Sequence, residues 1–144
     1  MEKSNIALFD QLLSWKQAVK AVGNLLLENG SIYPEYIDSM VRAVEEFGPY
    51  IAIAPGIAIA HAKPGSEVKK EDVALIVDKK GIEFNSKNDP IHVLFAFCTT
   101  DADHHMKFIS DLAGLLSDDN IVDKALECES KEDIYKLFFE RRTL

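Results

Sequence analysis

The chain has 144 residues, of which 47% are hydrophobic and 28% charged, the balance of an ordinary globular protein large enough for a real hydrophobic core. Its net charge of −8 argues against nucleic acid or an anionic membrane surface as a partner, and suits either basic proteins or plain solubility. No apolar run approaches the roughly 20 residues that cross a bilayer, residues 1–5 open no signal peptide, and Cys98 and Cys128 are too few for a disulfide framework, so a cytoplasmic protein is expected.

In chain order, Ser14 is placed to cap a helix starting at Trp15, with Trp15, Val19, Val22 and Leu26 on one face and Asn29-Gly30 as its stop. Pro34 suits the first turn of a second helix, whose buried stripe is Ile37, Met40, Val41 and Val44 and whose end is Gly48-Pro49. Strands are expected at residues 50–54 and 57–61, separated by Pro55-Gly56, and again at 72–77, closed by a turn at Lys79-Lys80-Gly81. Residues 91–98 are apolar on both faces, as in a central strand covered on both sides. Helical spacing returns after Asp103, a candidate cap, with Phe108, Ile109, Leu112 and Leu115-Leu116, and short helices follow near 121–125 and 131–139. Nothing marks an internal boundary, so residues 1–144 are expected to form a single domain. The expected fold class is an α/β (α+β) sandwich with helices on both faces of a sheet.

The most informative stretch runs from Gly48 to Pro64 and ends one apolar strand on His61. A neutral imidazole is a good nucleophile at physiological pH, and the Lys63-Pro64-Gly65-Ser66 loop leaves room for a visitor. A satisfied structural histidine at a strand end would read the same way. His104 and His105 fall in the first turn of the later helix, where free amides and the helix dipole favour an anion. Adjacent helical residues point about 100° apart, so only one of them can face a given site. Thr99 and Thr100 either offer hydroxyls to that anion or simply form a turn. His92, opening the central strand, reads as structural. Cys98 paired with His104 or His105 would suggest a small cysteine hydrolase, against which its place on a buried strand speaks. There is no P-loop, no G-x-S-x-G elbow, no H-E-x-x-H and no C-x-x-C, hence no sign of a cofactor or metal.

The runs GPYIAIAPGIAIAHAKP and DADHHMKFISDLAGLLSDD resemble the EIIA components of the bacterial sugar phosphotransferase system (PTS), type 2, the mannitol/fructose class. The likeness extends from Trp15 to about Phe138 and is nearest to the ascorbate-type branch. It implies a mixed sheet of about five strands. It also implies that His61 carries a phosphoryl group and that His105, directly before Met106, stabilises it, with His104 a solvated cap. The implied partners are the phosphocarrier HPr as donor, a cysteine of a cognate EIIB as acceptor and, indirectly, a membrane EIIC permease; Ile57, Ile59 and Ala60 either contribute an apolar surface for docking or are merely core. Because little follows the last helix, a free-standing subunit is expected. Ala60 stands where that family usually has proline, a change expected to tune the site and not to remove it. The alternative use of the same chemistry is a regulatory module whose phosphorylation state controls a protein partner.

Overall fold

The computed structural model describes residues 5–140. In order the elements are β1 (Ile6–Phe9), α1 (Trp15–Glu28), α2 (Pro34–Phe47), β2 (Ala52–Ala54), β3 (Ile57–Ala60), β4 (Asp72–Ile82), β5 (Ile91–Cys98), α3 (Ala102–Leu115), α4 (Ile121–Leu126) and α5 (Lys131–Tyr135), continued by a π-helical turn, Lys136–Glu140. Local chemistry sets the helix ends. Ser14 and Gln17 form a reciprocal capping box at α1. Pro34 sits in the first turn of α2, and Gly48, at φ 80°, follows its last residue.

The five strands form one mixed sheet in the order β1-β4-β5-β3-β2. β1 runs parallel to β4 and β3 parallel to β5, while the β4–β5 and β2–β3 pairs are antiparallel. Side-chain alternation divides the core in two. Ala58, Ala60, Ala74, Ile76, Leu94, Ala96 and Cys98 pack against α1 and α2. Ile57, Ile59, Leu75, Val77, Val93, Phe95 and Phe97 pack against α3, α4 and the C-terminal helical segment. The sandwich expected from the sequence is therefore present, and β5 is its covered central strand. Gly23 lets α1 approach α2, since a Cβ there would come within 2.9 Å of Ile37.

Several local expectations are corrected. Residues 6–9 form an edge strand that four residues of pattern were too short to announce. Lys79-Lys80-Gly81 does not turn the chain: β4 continues to Ile82 through a register irregularity, where the Asp78 carboxylate accepts from the amide of Lys80. The reversal comes later, at 83–90, where Asp89 gathers the amides of Phe84 and Ser86. The β2 strand starts at Ala52, leaving Tyr50 outside the sheet.

At the start of β4 the Asp72 carboxylate accepts from Asn5 Nδ2, Asn29 Nδ2 and Ser31 Oγ and from the amide of Val73. Asn5 and Ser31 are buried, so this one carboxylate ties the β1 entry and the α1–α2 connection to β4. Asp72→Ala would strand those donors, and unfolding in urea should show a loss of about 2–4 kcal/mol. A loss under about 0.5 kcal/mol would mean that water replaces the carboxylate.

Candidate functional site

His61 lies one residue past β3, and its ring falls on the sheet face shared with Ile57, Ile59 and Phe97, the face α3 covers. It stacks on Phe97 (centroids 5.1 Å apart, 23° between planes). The ring of His105, from the first turn of α3, stands 5.2 Å from it, tilted by 66°, and also touches Phe97 at 5.0 Å. Tyr50 meets His61 edge to face at 5.8 Å. The sequence thus places two of its four histidines side by side at the mouth of one groove.

His61 Nδ1 lies 3.1 Å from the carbonyl oxygen of Ile59. A carbonyl can only accept, so Nδ1 carries the ring proton and Nε2 keeps a free lone pair. Burial, and then the neighbouring His105, hold the His61 pKa below its ordinary value, while the Ile59 bond works the other way. His105 is likewise held down by burial. Its Nδ1 is buried with no partner among the described residues. A stranded N–H costs about 1–3 kcal/mol, so the proton belongs on Nε2, where His105 can donate into the groove.

The groove has a volume of about 860 Å³ and lies between the second half of α2 and the loop after His61. Beside the two histidines it is lined by Arg42, Lys63, Glu46 and Glu67 and by the aromatic rings of Phe47 and Tyr50. Arg42 donates to Ser39 Oγ, which donates to Glu67, so the guanidinium is steered along one wall without an ion pair of its own among the described residues. Lys63 has no carboxylate partner among them either. Arg42 was missed in the sequence because it sits off the apolar stripe of α2, where a lone arginine carries no pattern. Tyr36, also missed, was legible in principle: it continues the 36, 40, 44 spacing, and a buried tyrosine needs a partner for its hydroxyl.

Other candidates fall elsewhere. The α3 cap is Asp101 and not Asp103; it accepts from the amide of His104. The amide of His105 is already bonded to the Asp101 carbonyl at 3.2 Å, so this helix start offers fewer free donors to an anion than the sequence suggested. His104 is exposed but is more than a solvated cap: its Nδ1 donates to Asp101 at 2.7 Å and approaches Glu71 at 3.3 Å, and those carboxylates raise its pKa. Thr99 is buried and Thr100 exposed, and neither lines the groove. His92 Nδ1 donates to the Asp78 carbonyl at 2.8 Å, a structural histidine as expected. Burial pushes the Cys98 thiol up to about 12, which removes it as a nucleophile and the hydrolase reading with it. Ile57, Ile59 and Ala60 are core, at 3%, 5% and 1% exposure, and cannot form a docking surface. The exposed apolar side chains at the groove are Phe47 and Tyr50, with Met106 next to His105.

Among the described residues no helix is long and apolar enough to cross a membrane, and no cluster of three or more His, Cys, Asp or Glu side chains is arranged to hold a metal ion. The architecture is thus a mixed sheet between two helical layers, with one tautomer-locked imidazole open to a groove and a second imidazole beside it. The chain belongs to the EIIA 2 family of the phosphoenolpyruvate-dependent sugar phosphotransferase system, which it matches over residues 1–141. It is 33% identical over 138 residues to the ascorbate-specific PTS system EIIA component of Escherichia coli K12, covering 94% of this chain and 90% of the relative. The solution structure of the mannitol-specific cryptic phosphotransferase enzyme IIA CmtB from E. coli superposes with a TM-score of 0.85 at 26% identity, over 97% of this chain and 95% of that one. The same fold occurs in the complex of enzyme IIA-Mtl with phosphorylated enzyme IIB-Mtl from E. coli, at a TM-score of 0.84, 20% identity and 98% coverage of both chains.

The three histidines around α3 should titrate in a fixed order. Ring-nitrogen NMR should put the midpoint of His104 above 6.5, and those of His61 and His105 below it. Because the His104 pKa is raised on folding, its contact stabilises the α3 start at acidic pH and is lost as pH rises through that pKa. A His61 midpoint at or above 6.5 would contradict the burial argument.

Proposed function

We propose that this chain is the phosphocarrier subunit of a cytoplasmic sugar phosphotransferase system of the ascorbate type, with His61 as the residue that carries the phosphoryl group. The observation that supports this best is the Nδ1–H to Ile59 carbonyl bond, which leaves His61 Nε2 bare on a groove beside a second, donating imidazole. In the forward step the Nε2 lone pair attacks the phosphorus of phosphorylated HPr. An N–P bond forms at His61 as the donor histidine's N–P bond breaks and that ring takes back its electron pair. The His61 ring keeps its Nδ1 proton and gains positive character, which strengthens the bond to Ile59. The Nε2–H of His105, with Arg42 and Lys63, faces the moving oxygens, where alignment and charge stabilisation supply most of the rate. In the second step a cysteine thiolate of EIIB attacks the same phosphorus and releases His61, and the sugar is phosphorylated during uptake through a membrane EIIC.

Phe47, Tyr50 and Met106 form the apolar contact for these partners, and the net charge of −8 favours basic ones. The alternative, a regulatory module, uses identical chemistry at His61; the ascorbate-specific relatives favour transport.

Incubation with phosphoenolpyruvate, enzyme I and HPr, followed by intact-mass analysis, tests the reading. The parent should gain one acid-labile phosphoryl group, and His61→Ala should gain none while keeping its fold. His105→Ala should still be phosphorylated, about 10- to 100-fold more slowly, whereas His104→Ala should stay within about twofold of the parent. A parent that accepts no phosphoryl sinks the reading; one that accepts it but passes none to its EIIB supports the regulatory alternative. Separately, Phe47→Asp should raise the KM for HPr several-fold with little change in kcat, since its ring is 68% exposed and touches Tyr50, not His61. An unchanged KM would remove Phe47 from the docking surface.

A further inference from the structure

We infer that the hydroxyl of Tyr36 is a wedge in the β3–β5 ladder that fixes where His61 stands, making Tyr36 a positioning residue for the reaction. The register pairs Ile59 with Phe95 and Ala60 with Ala96 in parallel. The amide of Ile59 bonds to Ile51, on the β2 side. Successive amides of a strand point to opposite sides, so those of Ala58, Ala60 and Ala62 point towards β5. If the ladder continued past Ala60, the Ala62 amide would bond directly to the carbonyl of Phe97, the residue before its partner Cys98.

It does not. The Ala62 amide donates to Tyr36 Oη at 3.0 Å, and Tyr36 Oη donates to the Phe97 carbonyl at 2.8 Å. One hydroxyl, brought in by the first turn of α2, therefore replaces one rung of the sheet. Both backbone groups stay satisfied, but two hydrogen bonds in series hold the strands further apart than one would. The splay falls at His61, between the last rung at Ala60 and the interrupted one at Ala62. It gives the imidazole room to lie flat on the Phe97 ring, 5.1 Å away, and to meet His105 at 5.2 Å. Tyr36 is fully buried and its pKa is pushed up by that burial, so the hydroxyl keeps its proton at any pH the protein meets and the relay keeps one direction.

The geometry does not depend on what His61 does; the kinetic consequence rests on the phosphocarrier reading above. Tyr36→Phe keeps the packed ring and removes only the oxygen. It leaves the Ala62 amide and the Phe97 carbonyl facing each other, and the strands are expected to close on that bond. In the phosphoenolpyruvate, enzyme I and HPr assay, phosphoryl acceptance should fall about 10- to 100-fold in kcat with the KM for HPr unchanged, as misplacement of a nucleophile predicts. The His61 ring-nitrogen shifts should move in the same variant without any phosphoryl donor present. Parent-like ring shifts and parent-like kcat would overturn the inference. A parent that takes up no phosphoryl would instead fail the functional reading, and the ring shifts would still decide the wedge. If the variant does not fold, the parent decides: a nuclear Overhauser contact between a slowly exchanging Tyr36 hydroxyl proton and the Ala62 amide is expected, and its absence rejects the wedge.

Discussion

The hydrogen bond from His61 Nδ1 to the carbonyl of Ile59 is the constraint around which the site is arranged. An imidazole has two nitrogens, and here the backbone two residues earlier consumes one of them. The acceptor belongs to the same strand, so the tautomer is set by local backbone geometry and needs no distant carboxylate. The other nitrogen is left free. Phe97 supplies a flat floor, α3 brings His105 alongside, and the groove opens between α2 and the following loop. Burial lowers the pKa of both rings, and for a nucleophile that is useful: a protonated Nε2 has no lone pair to give. Two charged imidazoles at this separation would also repel, and His105 adds to the lowering at His61.

Charge in the groove is balanced side by side, with Arg42 and Lys63 set against Glu46 and Glu67. The start of α3 contributes less than a bare helix end would. Asp101 occupies the amide of His104, the amide of His105 is bonded within the helix, and Asp103 adds a further negative charge in the first turn. Stabilisation of the proposed phosphoryl group would therefore fall to side chains on long, flexible stems and to one imidazole, and not to a preformed cradle of backbone amides. His104 works on the other side of the same turn. Its contacts with Asp101 and Glu71 tie the exposed side of the first turn of α3 towards the segment leading into β4.

Much of this was legible in the residues, for reasons that are themselves physical. The capping box at Ser14, Pro34 in a first helical turn and the glycine after α2 are local signals, and each appears where the sequence placed it. The double-sided apolar run of β5 announced a central strand, and the strand ending on His61 announced the groove. What failed was non-local. β1 is a strand only because β4 is there to pair with it, and four residues cannot show that alone. The capping aspartate was misassigned by two positions, because Asp101 and Asp103 offer the same chemistry and only the backbone decides. On sequence alone Ile57, Ile59 and Ala60 fit either docking surface or core, since a strand buried on both faces has no alternation to betray it, and burial decides for the core. Arg42 and Tyr36 reach the site across the sequence from α2, and their roles come from the packing of α2 on the sheet, which no spacing rule encodes.

A carrier differs from a hydrolase in that it must give its group away. Tight, rigid binding of the phosphoryl oxygens would stabilise the phosphorylated protein as much as the transition states on either side, and so slow the exit. The structure divides rigidity accordingly. His61 is held from three directions: Nδ1 by Ile59, the ring face by Phe97, and the chain just beyond it by the Tyr36 relay. The cations that would meet the phosphoryl are held loosely, Lys63 on an exposed loop and Arg42 on the exposed side of α2. On the proposed carrier reading, precision is spent on the atom that would attack, where misalignment costs rate in both directions, and withheld from the groups that would trap the product. With His61 only half-buried at the edge of an open groove, the proposed reading has one face both take the group from a histidine and present it to an incoming thiolate.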